Sequence, residues 1–170
     1  MLSALGFEGK TLLLREAASG DEALINTFFD RMGGETRAVF NRGDYNRRGL
    51  LKFCAKGDDT RKYWLLVDED EMLGYVFFLD WNMKIPTLGV AVRDDLRGKR
   101  LGRALCEAAI EEAKQCGKGG ITLTTHTANV RAQTLYEALG FRCLGIARNC
   151  TELIYLLNFK EDERKADLPT

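Results

Sequence analysis

The sequence predicts an α+β chain built on one mixed, mostly antiparallel sheet of about seven strands flanked by about four helices. Three observations carry that expectation. Residues 62–93 read as three strands in succession, and helical periods occupy one block before them and another after. No repeat, linker or change of composition divides the 170 residues. The 45% hydrophobic and 29% charged fractions are those of an ordinary globular chain, long enough to bury a core without staples.

The elements follow in order. KTLLLR at 10–15 reads as a first strand. Ser19 to Glu22 matches the S-x-x-E capping box, and Ile25, Phe28, Phe29 and Met32 then mark one apolar helical face that Gly33-Gly34 ends. A second helical stretch, broken around Gly43, covers 35–55. KYWLLVD (62–68) and MLGYVFFLD (72–80) form a hairpin about an acidic turn, and IPTLGVAVR (85–93) adds a third strand. From Arg100 to Cys116 the period turns helical, with Arg103, Glu107, Glu111 and Lys114 on the wet side and Gly117 as the stop. ITLTT (121–125) alternates as a strand. A helix capped by Asn129 carries Ala132, Leu135, Tyr136 and Leu139 on one face and ends at Gly140. Two last strands, 141–148 and 151–158, flank a turn at Asn149-Cys150. The domain is expected to span 1–160, with a frayed, charged tail over 161–170.

Composition narrows function. Twenty-five basic residues balance twenty-five acidic ones, so no global field draws nucleic acid or an anionic membrane. Five cysteines form no C-x-x-C pair and meet one histidine, His126. That argues against a disulfide framework and a metal site, for small buried apolar cysteines, and for a reducing, cytoplasmic setting. The opening MLSALGFEGK lacks a leader pattern, and no apolar run approaches the ~20 residues of a membrane span.

The chemistry concentrates between Val90 and Leu105. A strand ends there, a glycine-bearing loop follows, and a helix begins at once, which aims free backbone N–H groups and the positive end of a helix dipole at one spot. Gly98 and Gly102 leave room for an anion to approach. Arg93, Arg97, Lys99, Arg100 and Arg103 put five positive charges within eleven residues. A diphosphate suits that geometry, although neither the Walker loop nor G-x-G-x-x-G is present.

Arg97-Gly98-Lys99-Arg100-Leu101-Gly102 resembles the [QR]-x-x-G-x-[GA] pyrophosphate loop of the GCN5-related N-acetyltransferase (GNAT) superfamily. Asn129 to Phe141 is similar to its second signature, N-x-x-A-x-x-L-Y-x-x-x-G-F, with every fixed position filled. One departure stands out: Arg100 replaces the first loop glycine, and a side chain fits there if the residue keeps a helical φ.

The resemblance implies a three-layer α/β/α fold and transfer of acetyl from acetyl-CoA, a co-substrate, to a primary amine of a small molecule or protein. The strand Val90, Ala91 and Val92 would bind the pantetheine arm, and the amides of Gly98, Lys99, Arg100, Leu101, Gly102 and Arg103, behind Arg97, would hold the pyrophosphate. Asn129 would touch the cofactor, and Tyr136 would protonate the departing thiolate, as a phenol of ordinary pKa ~10 can. The base is Asp80, His126 or water. In this family the first two helices and last hairpin choose the acceptor, here through Phe28, Phe29, Met32, Phe40, Tyr45 and Tyr155 if they are not simply core. A monomer or homodimer is expected. The alternative is a catalytically silent acetyl-CoA sensor of the same fold.

Overall fold

The computed structural model describes residues 3–40 and 44–160. The expected break at Gly43 and the tail over 161–170 lie outside those residues. Eight strands form one sheet: β1 (Ser3–Phe7), β2 (Lys10–Glu16), β3 (Lys62–Asp68), β4 (Glu71–Leu79), β5 (Thr87–Val92), β6 (Gly120–His126), β7 (Arg142–Ile146) and β8 (Glu152–Asn158). The helices are α1 (Glu22–Asp30), α2 (Gly34–Phe40), α3 (Tyr45–Lys56), α4 (Leu101–Gln115) and α5 (Val130–Ala138). The spatial order is β1-β2-β3-β4-β5-β6-β8-β7. Every neighbouring pair is antiparallel except β5 and β6. The architecture is the predicted one, with one more strand and one more helix.

The added strand is β1. Its hairpin with β2 turns on Glu8 and Gly9, both at positive φ (46° and 79°). Two positive φ values make the tight turn that suits twisted strands, usually signalled by Asn-Gly or Asp-Gly. Glu-Gly hides that signal. The first helix also starts differently. The capping box does not form: Asp21 rather than Ser19 stands at the N-cap, and Glu22 accepts from the Gly20 N–H instead of from Ser19. The Asp21 carboxylate is held by the Arg15 guanidinium, at 2.7 and 2.8 Å, and by the Ala18 N–H at 2.9 Å, so it caps no helix amide.

Two apolar clusters lie on opposite faces of the sheet. One packs α4 and α5 over residues that include Trp64, Val76, Phe78, Ile121 and Leu123. The other packs α1 and α3 over Tyr63, Leu65, Tyr75 and Phe77. β4 feeds both, with seven consecutive buried residues from Met72 to Phe78, the pattern of a central strand covered on both faces. Gly89 of β5 leaves space for a ring: a Cβ there would stand 2.1 Å from Phe77.

The cysteines divide. Cys54 and Cys106 are buried as expected, whereas Cys116, Cys143 and Cys150 are exposed. Those three end α4, lie on the edge strand β7 and sit in the last turn.

Burial sets the alkaline limit of stability. It pushes the Cys54 thiol up to about 11 and Cys106 to about 12 from 9.0, and it raises the phenols of Tyr63, Tyr75 and Tyr136 above 10.0. The unfolded chain ionises first, so the stabilisation is complete below about pH 9 and is lost as pH rises through the folded values. Urea midpoints measured from pH 8 to 11 should therefore fall steadily above pH 9. A flat profile would contradict this burial.

Candidate active site

The site begins where two strands separate. β5 and β6 share one register pair, Thr87↔Thr122, supported by the Thr122 N–H donating to the Pro86 carbonyl at 3.0 Å. Beyond that pair they diverge. The Arg93 N–H donates to Leu73 of β4 at 2.8 Å, so by strand alternation the backbone groups of Val90 and Val92 face away from β4, into the gap. Ala91, between them, points its backbone at β4 and its side chain into the α1–α3 cluster.

The N-terminus of α4 closes the mouth of this gap. Among the described residues no backbone carbonyl accepts from the amides of Gly98 to Arg103, and the first bond into the helix is Ala104 N–H to Arg100 carbonyl at 3.1 Å. Such amides, with the helix dipole behind them, are able to hold an anion. A Cβ on Gly102 would lie 3.8 Å from Val92 and 3.9 Å from Leu135. Gly102 thus joins the end of β5, α4 and α5, and its site has ordinary room for a methyl group.

The loop corrects two expectations. Arg100 does not keep a helical φ; at φ 66° and ψ 5° it holds the left-handed conformation that glycine adopts without strain. The basic cluster is also largely compensated. Arg97 pairs with Asp94, Lys99 with Glu8 at 2.9 Å, and Arg103 with Glu107 at 2.8 Å. Arg93 pairs with Asp95 and Glu71. Acids that flank the loop, together with the β1–β2 turn, supply those partners.

Arg131 escaped the sequence reading, because α5 lies some thirty residues beyond the loop in the chain. Its Nη2 stands 2.7 Å from where a Cβ on Gly98 would be. The guanidinium therefore rests against the loop.

Asn129 caps α5, its Oδ1 accepting from the Ala132 N–H at 3.2 Å. Tyr136 is 8% exposed, with its ring 5.8 Å from Phe141 and 6.0 Å from Tyr155. Burial, then the neighbouring Cys106, pushes its phenol far above the ordinary value, so it stays protonated throughout the working range. His126 ends β6 at the open side of the gap and accepts at Nδ1 from Ala128 N–H at 3.1 Å. Asp80 follows β4 at the joined side, beyond the Leu79↔Thr87 pair, and is exposed.

Of the acceptor candidates, Phe28 and Phe29 are core residues, in edge contact with Tyr75 at 5.8 Å. Phe40 touches the same ring at 6.0 Å. Tyr45 is exposed. Tyr155 lies on the other face, where it donates to Glu137 at 3.0 Å, and burial with that carboxylate pushes its phenol up to about 12.

The Acetyltransferase (GNAT) family model matches residues 25–141, which contain the diverging strands, the loop and α5. The chain belongs to this family. It is 31% identical over 143 residues to the L-methionine sulfoximine/L-methionine sulfone acetyltransferase of Pseudomonas aeruginosa, with 78% of this chain and 81% of that one covered. It is 34% identical over 135 residues to the L-amino acid N-acyltransferase MnaT of Escherichia coli, covering 75% and 78%. The GNAT domain of S. lividans PAT has the same fold, with a TM-score of 0.78 at 14% identity over 92% of this chain and 96% of that one.

The loop of this acetyltransferase yields a stability prediction. Arg100→Gly relieves a left-handed arginine and should raise stability by about 0.5–1 kcal/mol, after the flexibility glycine adds to the unfolded chain. Gly98→Ala should do the opposite, since its φ is +80° and Arg131 fills the space. Chemical denaturation of both variants checks the pair, and a destabilised Arg100→Gly would refute the strain.

Proposed function

We propose that this acetyltransferase moves an acetyl group from acetyl-CoA to the primary amine of a small amino-acid-like acceptor. The observation that carries the reading is the gap between β5 and β6, with Val90 and Val92 presenting free backbone groups to it and the α4 N-terminus at its mouth. An extended pantetheine arm adds to such a strand edge as a peptide does. The amides of Gly98 to Arg103 take the diphosphate, and Arg131 lies close enough to add charge. The acceptor class rests on the two relatives that share about three quarters of the chain, both named for free amino acids or their analogues.

Acetyl-CoA supplies an activated acyl thioester. The Val92 N–H, facing the gap, polarises the thioester carbonyl. The α-ammonium of a free amino acid, more basic than a peptide terminus, must lose a proton before it attacks, and the group that takes the proton is His126 or water at the open side of the gap. Tyr136 gives its proton to the departing thiolate. Its raised pKa keeps the proton available and removes any alkaline limb due to this phenol below about pH 10.

Thiol release from acetyl-CoA across free amino acids, their sulfone and sulfoximine analogues, polyamines and N-terminal peptides tests the reading. Turnover is expected with free amino acids or the analogues. Tight cofactor binding with silence across the panel would favour a sensor.

Two variants test the roles. Gly102→Asp sets a carboxylate at the diphosphate site and should abolish most cofactor affinity, whereas Gly102→Ala should keep it. Tyr136→Phe should lower kcat by roughly 10–10⁴-fold with the cofactor Kd and melting point nearly unchanged. Wild-type turnover in that variant would reduce Tyr136 to a core residue.

A further inference from the structure

We infer that Asp94 is a positioning residue through which occupancy of the diphosphate loop sets the α1–α2 turn on the acceptor side. The inference rests on the proposed diphosphate role of the loop. Asp94 lies between β5 and Arg97, on the short 3-10 turn Asp94–Leu96. Its carboxylate does not stay with the loop. Oδ2 accepts from the Gly33 N–H at 2.7 Å, and Oδ1 accepts from the Thr36 hydroxyl at 2.8 Å. Gly33 precedes α2 and Thr36 is on it, 61 and 58 residues away in the chain. The same carboxylate pairs with Arg97, and Arg97 also donates to Thr36. Three groups thus converge on one side chain, two of them from a distant segment.

The fit is close. A Cβ on Gly33 would stand 2.8 Å from the Asp94 Oδ2, so a larger residue there would push the carboxylate aside. Arg97 uses one nitrogen, Nη2, for both Asp94 and Thr36. A guanidinium has five N–H donors in a fixed plane, so the Nη1 and Nε N–H groups remain for an anion in the loop. A diphosphate bound by either of them fixes the guanidinium, which holds Asp94 and Thr36 in turn. Occupancy of the loop therefore steadies the turn, and the reverse holds by linkage.

A second connection runs in parallel. Glu71 links Arg31, just after α1, to Arg93 at 2.9 and 3.1 Å. That chain reaches the Asp94–Leu96 turn through Arg93 and Asp95 but, among the described residues, touches neither Arg97 nor the loop amides, so it serves as the control.

The test is amide hydrogen exchange followed by NMR, with coenzyme A as the probe and its binding measured separately by calorimetry. In the wild type, saturating coenzyme A should slow exchange at Gly33 and through α2 by roughly tenfold, within the 5–150-fold of ordinary coupling. Asp94→Ala should bind coenzyme A and lose the slowing, while Glu71→Gln should keep it. Thr36→Val, a milder change, should lose it through α2 but retain it at Gly33. Bound coenzyme A without slowing in the wild type, or slowing that survives Asp94→Ala, would overturn the inference. Failure of the wild type to bind coenzyme A would instead remove the loop assignment on which it stands.

Discussion

The site depends on one constraint: β5 and β6 are parallel neighbours that pair once and then part. A parallel pair requires a crossover, and α4 is that crossover. Its N-terminus must lie at the end where β5 finishes, which is the end where the gap is open. The amides at the start of α4 and the strand edge of β5 are therefore brought together by connectivity before any side chain is chosen. The antiparallel remainder of the sheet holds β5 firmly on its other edge, through β4 and its seven buried residues, so the open edge does not collapse.

Charge at the loop is organised more by compensation than by excess. Four of the five basic residues in the segment already have acidic partners, and those partners come from the loop's own turn, from β4, from α4 and from the β1–β2 hairpin. Exposed pairs of this kind add little stability each. Their effect is positional, since they hold long side chains in fixed directions beside the backbone amides. The left-handed Arg100 fits the same view. The conformation that the loop needs is kept although its residue type disfavours it, which shows that neighbouring packing sets the backbone there.

Burial on the two faces of the sheet separates the roles of the aromatic residues. Tyr136 and Tyr155 share the α4–α5 side, while Phe28, Phe29, Phe40 and Tyr75 pack together on the α1–α3 side. On the first side burial raises the Tyr136 phenol and keeps it protonated. On the second side the rings form the floor under the helices proposed to receive the acceptor.

The sequence by itself determined the element types, the strand-to-helix loop at Arg97–Gly102 and the cap at Asn129, because periodicity, glycine stops and capping are local effects. The family signatures were legible for the same reason: they are spacings along one chain. Tertiary structure decided what depends on contacts between distant segments. It placed Asp21 rather than Ser19 at the start of the first helix and gave its carboxylate to Arg15, and it turned the basic cluster into ion pairs. It also set Arg131 against Gly98 and joined Asp94 to Gly33 and Thr36 across some sixty residues. A carboxylate's partner is chosen by which donors the fold brings within about 3 Å, and no local pattern encodes that.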